Sequence, residues 1–329
     1  MKIALSILLL GSLSLSACDR REDDAAVAAA DFTRSPDHAR SGLERAHHAY
    51  AAGAARAMTR DLLNVLEDAD ADDTARANAV ALADTAFAEG QGRLDTGFEI
   101  PAGMTWMRLV FQRAENDGTP SYLAILNGGL EPGVEVESLE IVRVQGERTL
   151  ASKVDALGHF ETGFEAGKPY FYLHSATASF PLESGAYRIR WAYVDGRSGS
   201  ADVLVPTFRF DALPEILAPA RGAVVSSQPT LRFRAPSGIG EDASGAIVLA
   251  ASITTPTVER GPRWSFWELG ATRTEATLGT VGTPAGATLE AGKTYSLAVS
   301  YDFRLQYGQL QLGSSVRRSH VFSTQSNGE

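Results

Sequence analysis

The sequence has a single cysteine, Cys18. With no partner for it, an intrachain disulfide, a cysteine zinc site and a cysteine nucleophile in the body of the chain are all excluded. Positive charge is the scarcer sign: 30 Lys+Arg stand against 40 Asp+Glu, a net charge of −10. The basic residues are mostly Arg and are scattered, whereas binding a phosphate backbone takes clustered cations, so nucleic acid is not an expected partner. No apolar run approaches the ~20 residues of a membrane-spanning helix. Catalytic signatures are also missing: there is neither a Gly-x-Ser-x-Gly elbow nor a His-Glu-x-x-His pair. Aromatics are 8% of the chain, so each cluster of them counts.

The N-terminus reads as an address. Met1-Lys2 is a short basic start, Ile3 to Leu15 is apolar except for Ser and Gly, and Leu15-Ser16-Ala17-Cys18 follows. The apolar run is too short to span a membrane and has signal-peptide proportions. Leu, two small residues and Cys resemble the bacterial lipobox. That resemblance implies cleavage before Cys18, covalent diacylglycerol and acyl groups on Cys18 in place of any other cofactor, and an envelope location facing the periplasm. Asp19 resembles an inner-membrane retention signal, with the outer membrane as the other destination.

Five segments are expected: a signal peptide at 1–17, a lipidated cysteine with an acidic tether at 18–36, a helical hairpin at 37–100, and two β-modules at 101–211 and 212–325. Residues 19–99 hold 17 acidic and 9 basic groups, and 22 alanines fall between 25 and 88. That is helical composition. Leu43, Ala46, Tyr50, Ala54, Met58, Leu62 and Val65 form an apolar stripe at helical spacing. The run from Glu67 to Asp73 breaks it, and Asp73 or Thr74 is expected to cap a second helix. Asp68, Asp70 and Asp72 have calcium-loop spacing, but position six is Asp73 rather than Gly and position twelve is Ala79 rather than Glu. The segment therefore reads as an acidic capping turn.

After Pro101 the pattern changes to alternation punctuated by Gly and Pro. Strands are expected at about 104–113, 121–126, 134–144, 170–174, 187–194 and 203–210. The pattern then restarts, with strands at about 230–235, 246–252, 264–269, 276–281, 295–303 and 317–323. Regular short strands predict β-sandwiches. The fold class is therefore mainly β: two tandem sandwiches behind a short Ala-rich helical hairpin.

An internal repeat supports the tandem. Leu182-Glu183-Ser184-Gly185-Ala186-Tyr187 leads into Ile189, Trp191 and Tyr193. Leu289-Glu290-Ala291-Gly292-Lys293-Thr294-Tyr295 leads into Leu297, Val299 and Tyr301, and Tyr295 follows Tyr187 by 108 residues. Both resemble the tyrosine corner of immunoglobulin and fibronectin type III domains, which implies buried rings at Tyr187 and Tyr295 and hydroxyls returned to nearby backbone. A third copy, Glu165 to Tyr170, falls inside the first module. Residues 182–196 also resemble the periplasmic copper-carrier sandwich, but the copper-binding His that follows Asp-Gly in that family is Arg197 here. Gly292-Lys293-Thr294 imitates the end of a phosphate loop but is followed by alternation, not a helix.

The densest aromatic cluster is Trp264-Ser265-Phe266-Trp267. Trp264, Phe266 and Trp267 are the candidate ligand-binding residues, since exposed rings stack on sugars or anchor partners. No metal site and no catalytic residues are expected. The functional reading is a non-enzymatic, lipid-anchored envelope protein that binds an envelope protein partner as an interaction or scaffold module. One alternative is a glycan- or peptidoglycan-binding lipoprotein using the Trp264–Trp267 region. The other is a periplasmic hydrolase or metal protein whose site forms only in three dimensions.

Overall fold

The computed structural model describes residues 36–89, 93–94, 96–155, 157–165, 167–178, 182–207, 212–236, 247–255, 264–269, 274–279 and 287–326. Cys18, the signal segment and the tether lie outside them.

Three helices open the described chain: α1 (Pro36–Ala51), α2 (Ala55–Glu67) and α3 (Asp73–Glu89). The expected hairpin had two. The extra break comes from Gly53, whose φ of 70° is left-handed. Ala54 N donates to Ala49 O at 2.8 Å and Gly53 N to Tyr50 O at 2.9 Å, the paired bonds that close a helix on a glycine. The stripe is thus folded back on itself. Gly42 of α1 meets Val65 of α2 so closely that an added Cβ would lie 2.8 Å from Val65 Cγ2. The acidic turn caps, but through Asp72: its Oδ1 accepts from Ala75 N at 2.7 Å. Asp68 Oδ1 accepts from Asp70 N, and Asp68 O accepts from Arg76. Met58, Leu62, Val65 and Leu66 bury one face of α2; Ala79, Leu82, Ala83, Ala86 and Phe87 bury one face of α3.

Seventeen strands follow among the described residues. They are β1 (Arg93–Leu94), β2 (Met104–Asn116), β3 (Thr119–Leu130), β4 (Val136–Arg143), β5 (Arg148–Ser152), β6 (His159–Glu165), β7 (Lys168–His174), β8 (Gly185–Tyr193) and β9 (Ser198–Val205). Then come β10 (Glu215–Ala218), β11 (Val224–Val225), β12 (Thr230–Arg234), β13 (Ile247–Thr254), β14 (Trp264–Leu269), β15 (Glu275–Thr277), β16 (Thr294–Tyr307) and β17 (Leu310–Thr324).

Each half is a sandwich. In the first, β2-β3-β7-β6 faces β5-β4-β8-β9; in the second, β10-β12-β15 faces β14-β13-β16-β17. These are the strand orders of immunoglobulin- and fibronectin type III-like domains, with first and second strands on one sheet and third, fourth and the last two on the other. The protein is mainly β, with two such sandwiches behind three helices.

The halves are not merely tandem. Parallel pairing of β17 with β2, nine residue pairs from Gln311↔Arg108 to Ser319↔Asn116, fuses one sheet of each into a single ten-stranded sheet. The β16–β17 hairpin makes this reach possible. It continues to Tyr307 and turns at Gly308, well past the expected strand end at 303. Alternation along it decides what is buried. Tyr295, Leu297, Val299, Tyr301, Phe303, Leu305 and Tyr307 all point to one face, which also carries Leu109, Phe111, Ala124, Leu126, Phe171 and Leu173 by register. Both smaller sheets pack on that face and share one core. Phe111 meets Tyr187 edge-on at 4.9 Å, and Phe87 of α3 stacks on Tyr307 at 6.1 Å.

Side-chain bonds dock the helices on the β9 side. Arg188 forks Asp202 at 2.6 and 3.1 Å and reaches Glu67 at 3.5 Å. Gln145 donates to Leu66 O, and Asp84 accepts from Thr207 N. Burial and the neighbouring Asp202 carboxylate push the Glu67 carboxyl above its ordinary range.

Candidate functional site

Both covering sheets lie on one face of the ten-stranded sheet. On the other face Trp106 is exposed, Arg108, Gln112, Arg304 and Arg317 are half-buried, and Val110, Ala114, Ile125 and Asp302 are buried. Among the described residues it carries no second layer. Its side chains are set by register. One row holds Trp106 on β2, Gly129 on β3, Tyr170 on β7 and Gly163 on β6. A bulge between Met104 and Trp106 turns the indole outward. Each ring lies over its neighbour's bare backbone: a Cβ added at Gly129 would sit 2.5 Å from Trp106 Nε1, and one at Gly163 would sit 2.8 Å from the Tyr170 ring. The glycines make room for two aromatic plates side by side. Trp106 is 43% exposed, the most open of the described tryptophans.

Cationic side chains stand one, two and four rows further along the strands. Arg108 follows Trp106 on the same face of β2; Arg304 and Arg317 stand on β16 and β17. The Arg108 side chain crosses Gly313, where an added Cβ would lie 3.4 Å from its Nη2, and reaches Asp302 Oδ2 at 3.4 Å. Asp302 is 6% exposed and also accepts from Ser315 Oγ at 2.6 Å. Gln112 Nε2 donates to that same Ser315 oxygen. Among the described residues Asp302 is ion-paired with Arg108, and its charge is felt more weakly by Arg304 and Arg317. Burial pulls the Arg304 pKa below the usual arginine value, and neighbouring Arg108 pulls it further. Burial does the same to Arg317. The Nε atoms of Arg108, Arg304 and Arg317 and Oδ1 of Asn127 are shielded from solvent with no hydrogen-bond partner among the described residues. Tyr172 and His174 close the far side, their rings edge-on at 5.7 Å. Burial raises the Tyr172 hydroxyl pKa and the nearby Arg317 charge offsets part of the rise.

Such a face has hydrogen-bond donors, positive charge and flat aromatic surface. Among the described residues, no three His, Asp, Glu or Cys side chains converge as a metal site would need.

The residues singled out from sequence land elsewhere. Trp264 pairs with Ile253 on β13, is only 3% exposed, and lies in the core of the second sandwich. Its ring is buried there rather than exposed for stacking, unlike the expectation from sequence. Phe266 and Trp267 pair with Ala251 and Ala250, and their side chains lie outside the described residues. Tyr187 and Tyr295 are buried; the Tyr187 hydroxyl donates to Glu183 O, and the Tyr295 hydroxyl accepts from Glu290 N at 2.9 Å. Tyr170, the third copy of the motif, instead stands on the outer face. Arg197 forks Asp195 and sits over the Tyr193 ring at 4.9 Å, so the position of the copper ligand is spent on a turn.

Two concavities flank the sheet, and the first borders the outer-face row at Gly163 and Tyr170. A groove of about 650 Å³ opens between β6 and the start of β4, lined by Phe160, Val136, Pro169, Lys153 and the 78% exposed Phe164. A cleft of about 360 Å³ beside α2 holds Glu67 and Asp202, but both carboxylates are engaged by Arg188.

No known sequence family and no curated protein matches the chain. Solved structures similar to it are tandem sandwiches. The fibronectin(III)-like modules of Clostridium thermocellum CbhA match 68% of this chain and 96% of theirs, at 12% identity and a TM-score of 0.21. The tandem Ig repeats of Dlar match 68% of this chain and 100% of theirs, at 11% identity and a TM-score of 0.30. The N-terminal Ig1-2 module of the Drosophila receptor protein tyrosine phosphatase DLAR matches 69% and 97%, at 11% identity and a TM-score of 0.29. The superpositions are loose, and the fold assignment rests on strand order.

Proposed function

We propose that this protein is a non-catalytic cell-envelope lipoprotein, held by lipid at Cys18, that works by binding a partner on the outer face of its ten-stranded sheet. The observation that carries this reading is the one-sided packing: helices and both smaller sheets cover one face, and the other bears aromatic plates and under-neutralised arginines. The lipobox resemblance at Leu15–Cys18 supports the anchor. The immunoglobulin-like architecture is one that commonly serves adhesion and interaction, which fits but does not choose the partner.

In-cell photocrosslinking tests the reading. A photoreactive residue in place of Glu161 or Gln112, both on the outer face, is expected to give a discrete adduct in envelope preparations. The same residue in place of Arg232, on the exposed side of β12, is expected to give none. Equal labelling from both sides, or no adduct from the outer face, refutes the reading. Cys18→Ser is expected to move the protein from the membrane to the soluble fraction.

A further inference from the structure

The composition of the outer face points to the class of ligand, and the inference rests on the binding role proposed above. Three features coincide there. First, Trp106 and Tyr170 lie over Gly129 and Gly163, which presents two ring faces in one row rather than edges in a pocket. Flat aromatic surface of this kind suits the apolar face of a sugar ring. Second, Arg304 and Arg317 have no carboxylate partner among the described residues, and Arg108 already holds Asp302. The Nε atoms of Arg304 and Arg317 are shielded, but both side chains are only half-buried, and an arriving carboxylate can make charge-assisted bonds to the rest of each guanidinium. Third, the face is poor in exposed aliphatic side chains: Val110 and Ile125 at its centre are buried. Trp, Tyr and Arg also anchor protein partners, so an acidic polypeptide is one of the comparison probes below.

We infer that this face binds a carboxylated polysaccharide, with sugar rings on Trp106 and Tyr170 and carboxylates on Arg304 and Arg317. By register Arg304 lies about 17 Å from Trp106, two rows along and two strands across, and Arg317 about 27 Å from it, four rows along and one strand across. A chain of linked sugars can bridge these spans; a single small anion cannot. A patch of net positive charge on a protein of net charge −10 is also the feature that would select an anionic chain over a neutral one.

The test is binding of the full-length, detergent-solubilised protein to polygalacturonate, with a neutral glucan, poly-L-glutamate and inorganic phosphate as comparison probes. Polygalacturonate is expected to bind, with affinity falling as salt rises. Arg304→Gln and Arg317→Gln should each weaken it about tenfold. Trp106→Ala should weaken it about fivefold. Arg304→Gln relieves the crowding of like charges, so its melting temperature is expected to be unchanged or higher, which separates lost binding from lost folding. Arg304→Lys keeps the charge and should retain part of the affinity.

Failure of polygalacturonate to bind overturns the inference. So does wild-type affinity in both arginine variants, or binding of poly-L-glutamate as tightly as polygalacturonate with no effect of Trp106→Ala; the last outcome would assign the face to an acidic peptide. Binding of inorganic phosphate alone would reduce the site to an anion hole and overturn it too. Any of these results with outer-face photocrosslinks intact sinks the ligand class and leaves the binding role standing.

Discussion

Replacing Asp302 with Asn is the sharpest probe of how the outer face is held together. The amide preserves shape and still offers Ser315 an acceptor, so the change removes charge and little else. The side chains of Asp302 and Arg108 are 9% and 15% exposed, so their ion pair is largely shielded from water. At 3.4 Å in an effective dielectric near 20 their attraction is about 5 kcal/mol before desolvation is counted. Removing one partner of a buried pair costs about 3–5 kcal/mol, because the other charge stays buried. Here Arg108 would also be left beside Arg304 with no counter-charge. We expect a loss of about 3 kcal/mol, near the low end because the amide keeps one bond. For a unit this large that lowers the melting temperature by about 6 °C. The assay is thermal and urea unfolding of the detergent-solubilised protein. A drop under about 1 °C would refute the reasoning. The double variant Asp302→Asn, Arg304→Gln is expected to recover about 1 kcal/mol of the loss, since the groups share one field. Strict additivity would show that they do not.

Three further outcomes follow from individual contacts. Tyr187→Phe and Tyr295→Phe should each cost about 1–2 kcal/mol in urea unfolding, the first by removing the bond to Glu183 O and the second the bond from Glu290 N. His320 is 8% exposed and bonded to Pro219 O at 2.8 Å, and burial lowers its pKa from 6.5. The folded state therefore binds its proton less readily than the unfolded chain; its contribution is full above about pH 6.5 and is lost as pH falls through the folded value. Melting at pH 5 against pH 7.5 should show this loss in the wild type and a smaller one in His320→Gln. Gly53→Ala should cost about 1 kcal/mol, because a side chain at φ 70° is strained, and loss of far-UV helix signal on heating should shift accordingly.

Much of the architecture was legible because alternation is a local property. Tyr187, Ile189 and Tyr193 or Tyr295, Leu297 and Val299 can only be strands with one covered face, and a Leu-x-x-Gly step, separated from each Tyr by one or two residues, marks the corner. Other features escaped for definable reasons. Gly53 is embedded in Ala-Ala-Gly-Ala-Ala, where composition favours continuing the helix and only the left-handed φ ends it. Strands β5 and β6 are short and polar, with no apolar run to announce them. The tip of the β16–β17 hairpin was readable, since Leu305, Tyr307, Leu310 and Leu312 alternate about Gly308. The intervening Arg304, Gln306, Gln309 and Gln311 resemble a loop unless one knows that a sheet lies beside them. Trp264 shows the complementary limit: alternation says which residues share a face, not which face is covered.

The outer-face site was invisible for a deeper reason. Arg108 and Asp302 are 194 residues apart, and nothing local predicts that β17 will lie parallel to β2. That pairing is what makes the site. Trp106, Tyr170 and Arg108 come from the first sandwich; Asp302, Arg304 and Arg317 come from the second. Separate modules on a flexible linker would present half of it each, at a spacing that varies with every motion of the linker. Nine residue pairs of ladder remove that freedom and fix aromatic plates and guanidinium groups in one sheet, some eight strands and about 34 Å across. Holding recognition groups rigid before the ligand arrives lowers the ordering cost of binding. On this account the long β16–β17 hairpin has a function beyond closing its own sandwich: it holds Arg304 and Arg317 against the seam, two and four rows along from Trp106. A change at the seam that loosens β17 from β2 should then weaken ligand binding even where it touches none of the binding side chains.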